Sequence, residues 1–132
     1  MKEQQKAHQQ YKQMSEQTAA PEEQMISLLQ EAIKEVKKGK AAIHKEDRAK
    51  RNESLAQGQA YVLSLIPFIN HKTEEGERLI SVYGYINRLL IRANIESNQE
   101  LLQEAEELLL RLQMDWAEAL KFRRKQYVGD LI

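Results

Sequence analysis

Apolar side chains recur at steps of three and four in four stretches of similar length. Leu28, Leu29, Ile33, Val36 and Ile43 form the first line. Leu55, Val62, Ile66 and Ile69, with Gln59 among them, form the second. Leu79, Val82, Tyr83, Ile86, Leu89, Leu90 and Ala93 form the third, and Leu101, Ala105, Leu108, Leu112, Trp116 and Ala119 the fourth. Such steps place side chains on one face of an α-helix. The pattern predicts helices near 21–44, 48–70, 74–94 and 98–124, joined by short turns. Four amphipathic helices with short connections bury their stripes as an all-α, antiparallel, up-down four-helix bundle. The expected core is Leu29, Ile33, Val62, Ile86, Leu89, Leu108, Leu112 and Trp116.

The punctuation between stripes supports these bounds. Pro21 suits the first turn of a helix, where its missing N–H would be unpaired anyway, and Glu22 and Glu23 favour the positive end of the dipole. Ala20 stands where a capping side chain is expected. Gly39, inside the first helix, costs about 1 kcal/mol against alanine. Asp47 and Thr73 are positioned as N-caps, and Ser97 with Glu100 reads as a capping box for the fourth helix. Pro67 removes an N–H and predicts a kink or early end in the second helix. Lys121, Arg123, Arg124 and Lys125 read as cations in a last helical turn, with an anion-binding patch as the alternative. The chain divides into a short mobile N-terminal segment (1–20), the bundle (21–126) and a tail (127–132).

Composition narrows the class. A chain of 132 residues suits one domain that buries roughly two-thirds of its unfolded surface. Twenty basic and twenty acidic residues cancel, which argues against a nucleic-acid binder. Cysteine is absent, so thiol chemistry is excluded and a reducing compartment fits. No apolar run reaches the ~20 residues of a membrane span, and Met1 to Gln13 has no signal-peptide core. The reading is a soluble cytoplasmic protein.

Candidate chemistry is sparse. His8, His44 and His71 lack the Glu-x-x-His spacing of a di-iron bundle, so no metal is expected. No glycine-rich phosphate loop occurs, and no serine sits in a glycine elbow. The chain reads as non-enzymatic and without a cofactor. Gln59 and Asn94 lie on apolar stripes, where an amide fixes register by pairing with a neighbour or touches a client. Tyr83 and Tyr85 flank Gly84, so at most one is fully in the core, and the other is a candidate interface aromatic. Tyr11 and Met14 are the sizeable apolar groups of the N-terminal segment after Met1.

Taken in order, several motifs resemble the FliS family of flagellin export chaperones, from about Tyr11 to Leu120. They are Tyr11 followed by Thr18-Ala19-Ala20-Pro21-Glu22-Glu23; Asn52-Glu53-Ser54-Leu55 with Gln59; Tyr83-Gly84-Tyr85-Ile86-Asn87-Arg88-Leu89, then Ala93-Asn94-Ile95 and Asn98; and Trp116. Departures from the family pattern fall at Ala20, Leu29, Glu31, Pro67 and Gly84. The resemblance implies a chaperone that binds the disordered C-terminal segment of flagellin in the cytoplasm. It would keep that segment from polymerising and deliver it to the flagellar type III export gate. It also implies that the N-terminal segment, through Tyr11, lies in the client groove or helps dock at the gate. The client-contact candidates are Tyr11, Met14, Gln59, Tyr83, Tyr85 and Asn94. The competing reading is a structural helical adaptor, or a bundle that forms a weak homodimer through spare apolar surface, without a flagellin client.

Overall fold

The computed structural model describes residues 20–131, with side chains described through Gln126. Four helices follow one another: α1 (Pro21–His44), α2 (Arg48–Leu65), α3 (Glu74–Glu96) and α4 (Gln99–Leu131). A 3₁₀ turn, Ile66–Phe68, extends α2. α1 packs on α2 and α4, and α3 packs on the same two helices, so the four occupy the corners of a square with α1 and α3 on a diagonal. Among the described residues there is no strand. The all-α bundle expected from the four stripes is the fold.

Local chemistry explains each helix end. Pro21 opens α1, and Ala20 supplies no side-chain cap. The Asp47 carboxylate accepts from the Lys50 N–H at 3.0 Å, and the Thr73 hydroxyl accepts from the Gly76 N–H at 2.9 Å. Pro67 ends α2 as its chemistry requires: the α-helix stops at Leu65 and continues as a single 3₁₀ turn. The α1–α2 and α3–α4 turns close alike. Asp47 N–H bonds the Ala42 carbonyl and Asn98 N–H the Ala93 carbonyl. Glu46 (φ 57°) and Ser97 (φ 50°) are left-handed. This is the Schellman arrangement, here without glycine at the left-handed position.

That turn corrects one expectation. Ser97 does not cap α4, because its backbone is already committed to ending α3. The cap is Asn98, whose Oδ1 accepts from Glu100 N–H at 2.9 Å and Leu101 N–H at 3.3 Å. α4 also runs beyond the expected end near 124. The cations expected in its last turn therefore lie well inside it. Arg123 reaches Glu22 at 2.8 Å and Arg124 reaches Glu23 at 2.9 Å, tying the start of α1 to the far part of α4.

The core holds Met25, Leu29, Ile33, Val36, Leu55, Val62, Leu65, Tyr83, Ile86, Leu89 and Leu90, with Leu102, Leu109 and Leu112 from α4. Small residues sit where α1 approaches α2. A Cβ on Gly39 would lie 2.6 Å from Leu55 Cδ2, and one on Gly58 would lie 3.7 Å from Glu35 Cβ. A Cβ on Gly76 would lie 1.7 Å from the Asn70 carbonyl oxygen, so glycine is what lets the 70–73 loop fold back on α3.

The fourth stripe is rotated from the expected one. Leu102 and Leu109 are fully buried, whereas Leu108 and Trp116, expected in the core, are only partly covered and pack at its edge. The leucine run 108–110 offers two adjacent phases. The realised phase carries Glu106 inward, where Lys40 of α1 meets it at 2.9 Å. A sequence stripe does not count such a carboxylate as core, although a paired one is tolerated there. Leu109→Ala should therefore cost about 2–5 kcal/mol and Leu108→Ala less than half as much, measured by urea melts of the two variants.

Candidate partner-binding groove

α3 is held at its α2 side by few groups. Arg51 Nε donates to Asn94 Oδ1 at 2.9 Å, and its guanidinium also reaches Ser97 Oγ. A Cβ on Gly58 would come within 3.5 Å of Leu90. These contacts set the antiparallel register of α2 and α3. On α1, Lys40 and Glu22 look toward α4 while Glu35 looks toward α2. With right-handed helices this fixes the hand of the square. The line Gln59, Leu63, Ile66 is then the flank of α2 turned to α3. The opposing flank of α3, marked by Asn94, carries Ile80, Gly84, Asn87 and Ile91 at helical spacing, with Ile95 at its outer edge.

This seam is not sealed. Leu63 is 46% exposed, Ile91 38% and Ile95 79%. Ile66 and Ile80 are half-buried below them. Among the described residues, a Cβ on Gly84 would meet only Arg88 Nη1, at 3.5 Å, so they leave the furrow open at that level. Among the described residues, Asn87 Oδ1 is buried without a hydrogen-bond partner. The seam thus combines solvent-exposed branched aliphatics with side-chain amides (Gln59, Asn87, Asn94) and one unpaired acceptor. Ordinary helix faces scatter single apolar groups. An aliphatic line beside an unsatisfied amide is instead what a docking helix would cover.

The expected contact residues separate in space. Gln59 and Asn94 are both half-buried on this seam, and Asn94 is held by Arg51. Tyr83 lies in the core, fully buried, and its hydroxyl accepts from Trp116 Nε1 at 3.0 Å. Tyr85 is exposed on the other flank of α3, where its hydroxyl donates to Glu104 of α4. Tyr11 and Met14 lie outside the described residues. Leu63, Ile91 and Ile95 were not among the expected contact residues, because off the core stripes only aromatics and the N-terminal segment drew notice as contacts. Their signal was an apolar side chain off the stripe on two helices that pair.

Among the described residues no cluster of three metal-ligating side chains occurs, and no helix is long and apolar enough to cross a membrane. Tyr83 and Tyr85 have displaced acidity. Burial, foremost, and the nearby Asp115 raise the Tyr83 pKa against the lowering effect of the Trp116 bond. The hydrogen bond to Glu104 raises that of Tyr85. A group whose folded pKa is raised adds stability that is complete below its unfolded pKa, about 10 for tyrosine, and is lost as pH rises through the folded value. Stability should therefore fall from about pH 10 upward, less steeply in Tyr83→Phe. Denaturant melts between pH 8 and pH 11, with tyrosinate absorbance followed in parallel, check this.

The family model described as "Flagellar protein FliS" matches residues 4–123. The chain is 28% identical over 120 residues to the flagellar secretion chaperone FliS of Bacillus subtilis (strain 168), covering 91% of this chain and 90% of that one. A match over so much of the bundle places the chain by descent: it belongs to the FliS family of flagellar secretion chaperones, a chaperone family and not one of enzymes.

Proposed function

We propose that this protein binds the disordered C-terminal segment of flagellin in the cytoplasm and holds it along the α2–α3 groove as helix. It thereby prevents premature polymerisation and delivers flagellin to the flagellar type III export gate. The observation that carries this reading is the open line of Leu63, Ile91 and Ile95 beside the unpaired Asn87 oxygen. A chaperone of a secreted filament subunit must cover apolar surface that the subunit later buries in its own assembly. A segment that folds on binding does this while remaining removable, because its ordering entropy offsets part of the contact energy.

The groove also defines what is recognised. Branched aliphatics on both walls suit an amphipathic helix with apolar groups at i, i+3 or i+4, and i+7. The amides add direction: Asn87 Oδ1 needs a donor, so a client side chain that supplies one is favoured over an apolar isostere. A flagellin C-terminal peptide should bind, gain helical circular dichroism and show a negative heat-capacity change in calorimetry. Ile95→Glu and Leu63→Glu should each weaken it at least about tenfold, roughly 1.4 kcal/mol, while shifting stability by less than about 0.5 kcal/mol because both positions face solvent. Binding indifferent to both variants would remove the client from this groove.

The N-terminal segment belongs to the same reading, with Tyr11 and Met14 as its anchors. Two side chains bury only a few kcal/mol of apolar surface at about 25 cal/mol per Å². Ordering the chain costs about 1–2 kcal/mol per residue. Ordering even a few residues therefore cancels that gain, so a docked segment would be held weakly enough for a client to displace it. Tyr11→Ala should leave stability nearly unchanged and tighten the flagellin peptide if the segment competes for the groove. If Tyr11 serves the export gate instead, peptide affinity should hold and flagellin secretion should fall. Calorimetry and a secretion assay on the same variant separate the two.

A further inference from the structure

We propose that the α2–α3 groove ends in a carboxylate pocket that captures the free C-terminus of the bound segment, so that the client helix runs parallel to α3 and antiparallel to α2. This rests on the reading of the groove as the client site. The pocket lies where α1 turns into α2 and α3 ends. It has a volume of about 550 Å³, and Ile43, Asp47, Arg48, Arg51 and Ser97 are among its lining residues. Helical spacing makes it continuous with the groove. Arg48 and Asn52 lie on the same line of α2 as Gln59, Leu63 and Ile66, and Ser97 stands about one turn beyond Asn94. Arg51 joins the two walls, because it bonds both Asn94 and Ser97.

Two arginines give the pocket its chemistry. Arg51 is half-buried, and its bonds go to three neutral side chains, Asn94, Ser97 and Asn52. A guanidinium carries five N–H donors, so Arg51 keeps donors for a ligand. Arg48 stands about one turn before it and is exposed. Neither arginine has an ion pair among the described residues. Two carboxylates also line the pocket, those of Glu46 and Asp47, and the Asp47 carboxylate is engaged by the Lys50 N–H. Across this turn Lys45, Arg48, Lys50 and Arg51 stand against Glu46 and Asp47, so the surroundings stay cationic. A half-buried guanidinium already oriented by three side chains is preorganised for a planar anion.

The end of a client helix supplies that anion. The last carbonyls of a helix have no partner within it, and the negative pole of its dipole lies at the same end. At the end of the chain the terminal carboxylate adds a full negative charge. Donors and positive charge stand together at the Arg48 end of the groove. At the opposite end the walls are Ile66 and Ile80, which offer no side-chain donor. Leu63 and Arg48 are separated along α2 by about 22 Å at 1.5 Å per residue. A client helix of about 15 residues therefore covers the groove with its terminus at the arginines.

Calorimetry of the full chain with a flagellin C-terminal peptide, made as the free acid and as the C-terminal amide, tests this. Amidation keeps every side chain and removes only the terminal charge. The amide should bind at least about fivefold more weakly than the acid, the scale of one lost charge-assisted hydrogen bond. Arg48→Gln should weaken the acid at least about threefold and the amide by less than about 1.5-fold, the coupling expected of groups in contact. Arg48 is exposed and makes no ion pair among the described residues, so this variant keeps the fold, whereas Arg51→Gln would also release Asn94. Lys50→Gln removes the same charge from the opposite face of α2 and should shift acid and amide alike. Equal affinities for acid and amide overturn the proposal and leave the client reading in place. An Arg48→Gln effect shared equally by the two peptides, or reproduced by Lys50→Gln, overturns it as well. A peptide that binds in neither form removes the client reading and this inference together.

Discussion

Everything else in this bundle depends on how closely α1 lies against α2. Gly39 and Gly58 remove side chains where the two helices meet, and Leu55 fills the space beside Gly39. α1 is therefore enclosed from both sides, by α2 and by the Lys40–Glu106 and Glu22–Arg123 ties to α4. A square of four helices has a limited interior. With one corner drawn in, the opposite corner packs less closely on both of its neighbours. α3 is that corner, and its α2 edge is held by Arg51 while isoleucines stay in solvent.

The core below α3 is correspondingly rigid. Tyr83 fills it, and its hydroxyl is satisfied by Trp116 from α4, so the floor of the groove does not yield when a helix lies on it. Protein interiors resist small displacements because they are densely packed. On the proposed reading, an apolar partner would rest on the seam rather than enter the bundle. The amides around the seam would then favour one register of the partner over its neighbours, since a misplaced apolar group would leave them unpaired.

Much of this was legible from residue order alone. The four stripes, Pro21, Asp47, Thr73 and the break at Pro67 all report local chemistry, and local chemistry decided those features. Three things were not local. Whether Leu108 or Leu109 is buried goes with which face of α4 meets α1, where Lys40, distant in sequence, pairs with Glu106. The cap of α4 passed from Ser97 to Asn98 because the preceding helix claimed Ser97 first. Gln59 and Asn94 were visible as polar exceptions on apolar lines. That they share one seam, while Tyr83 and Tyr85 do not, required knowing which helix neighbours which. Leu63, Ile91 and Ile95 gave no periodic signal because they lie outside the stripes.

The ties between Glu22 and Arg123 and between Glu23 and Arg124 span 101 positions of sequence. They join the first helix of the bundle to the last, and closing so long a loop costs entropy that local turns do not. α1 and α2 can form a hairpin as soon as both exist, but the other flank of α1 has no cover until α4 is made. On the ribosome, where chains emerge at about 5–20 residues per second, the nascent protein therefore passes through a stage with Ile33 and Val36 bare on one side. A secretion chaperone is, for those seconds, itself a chain with apolar surface left uncovered.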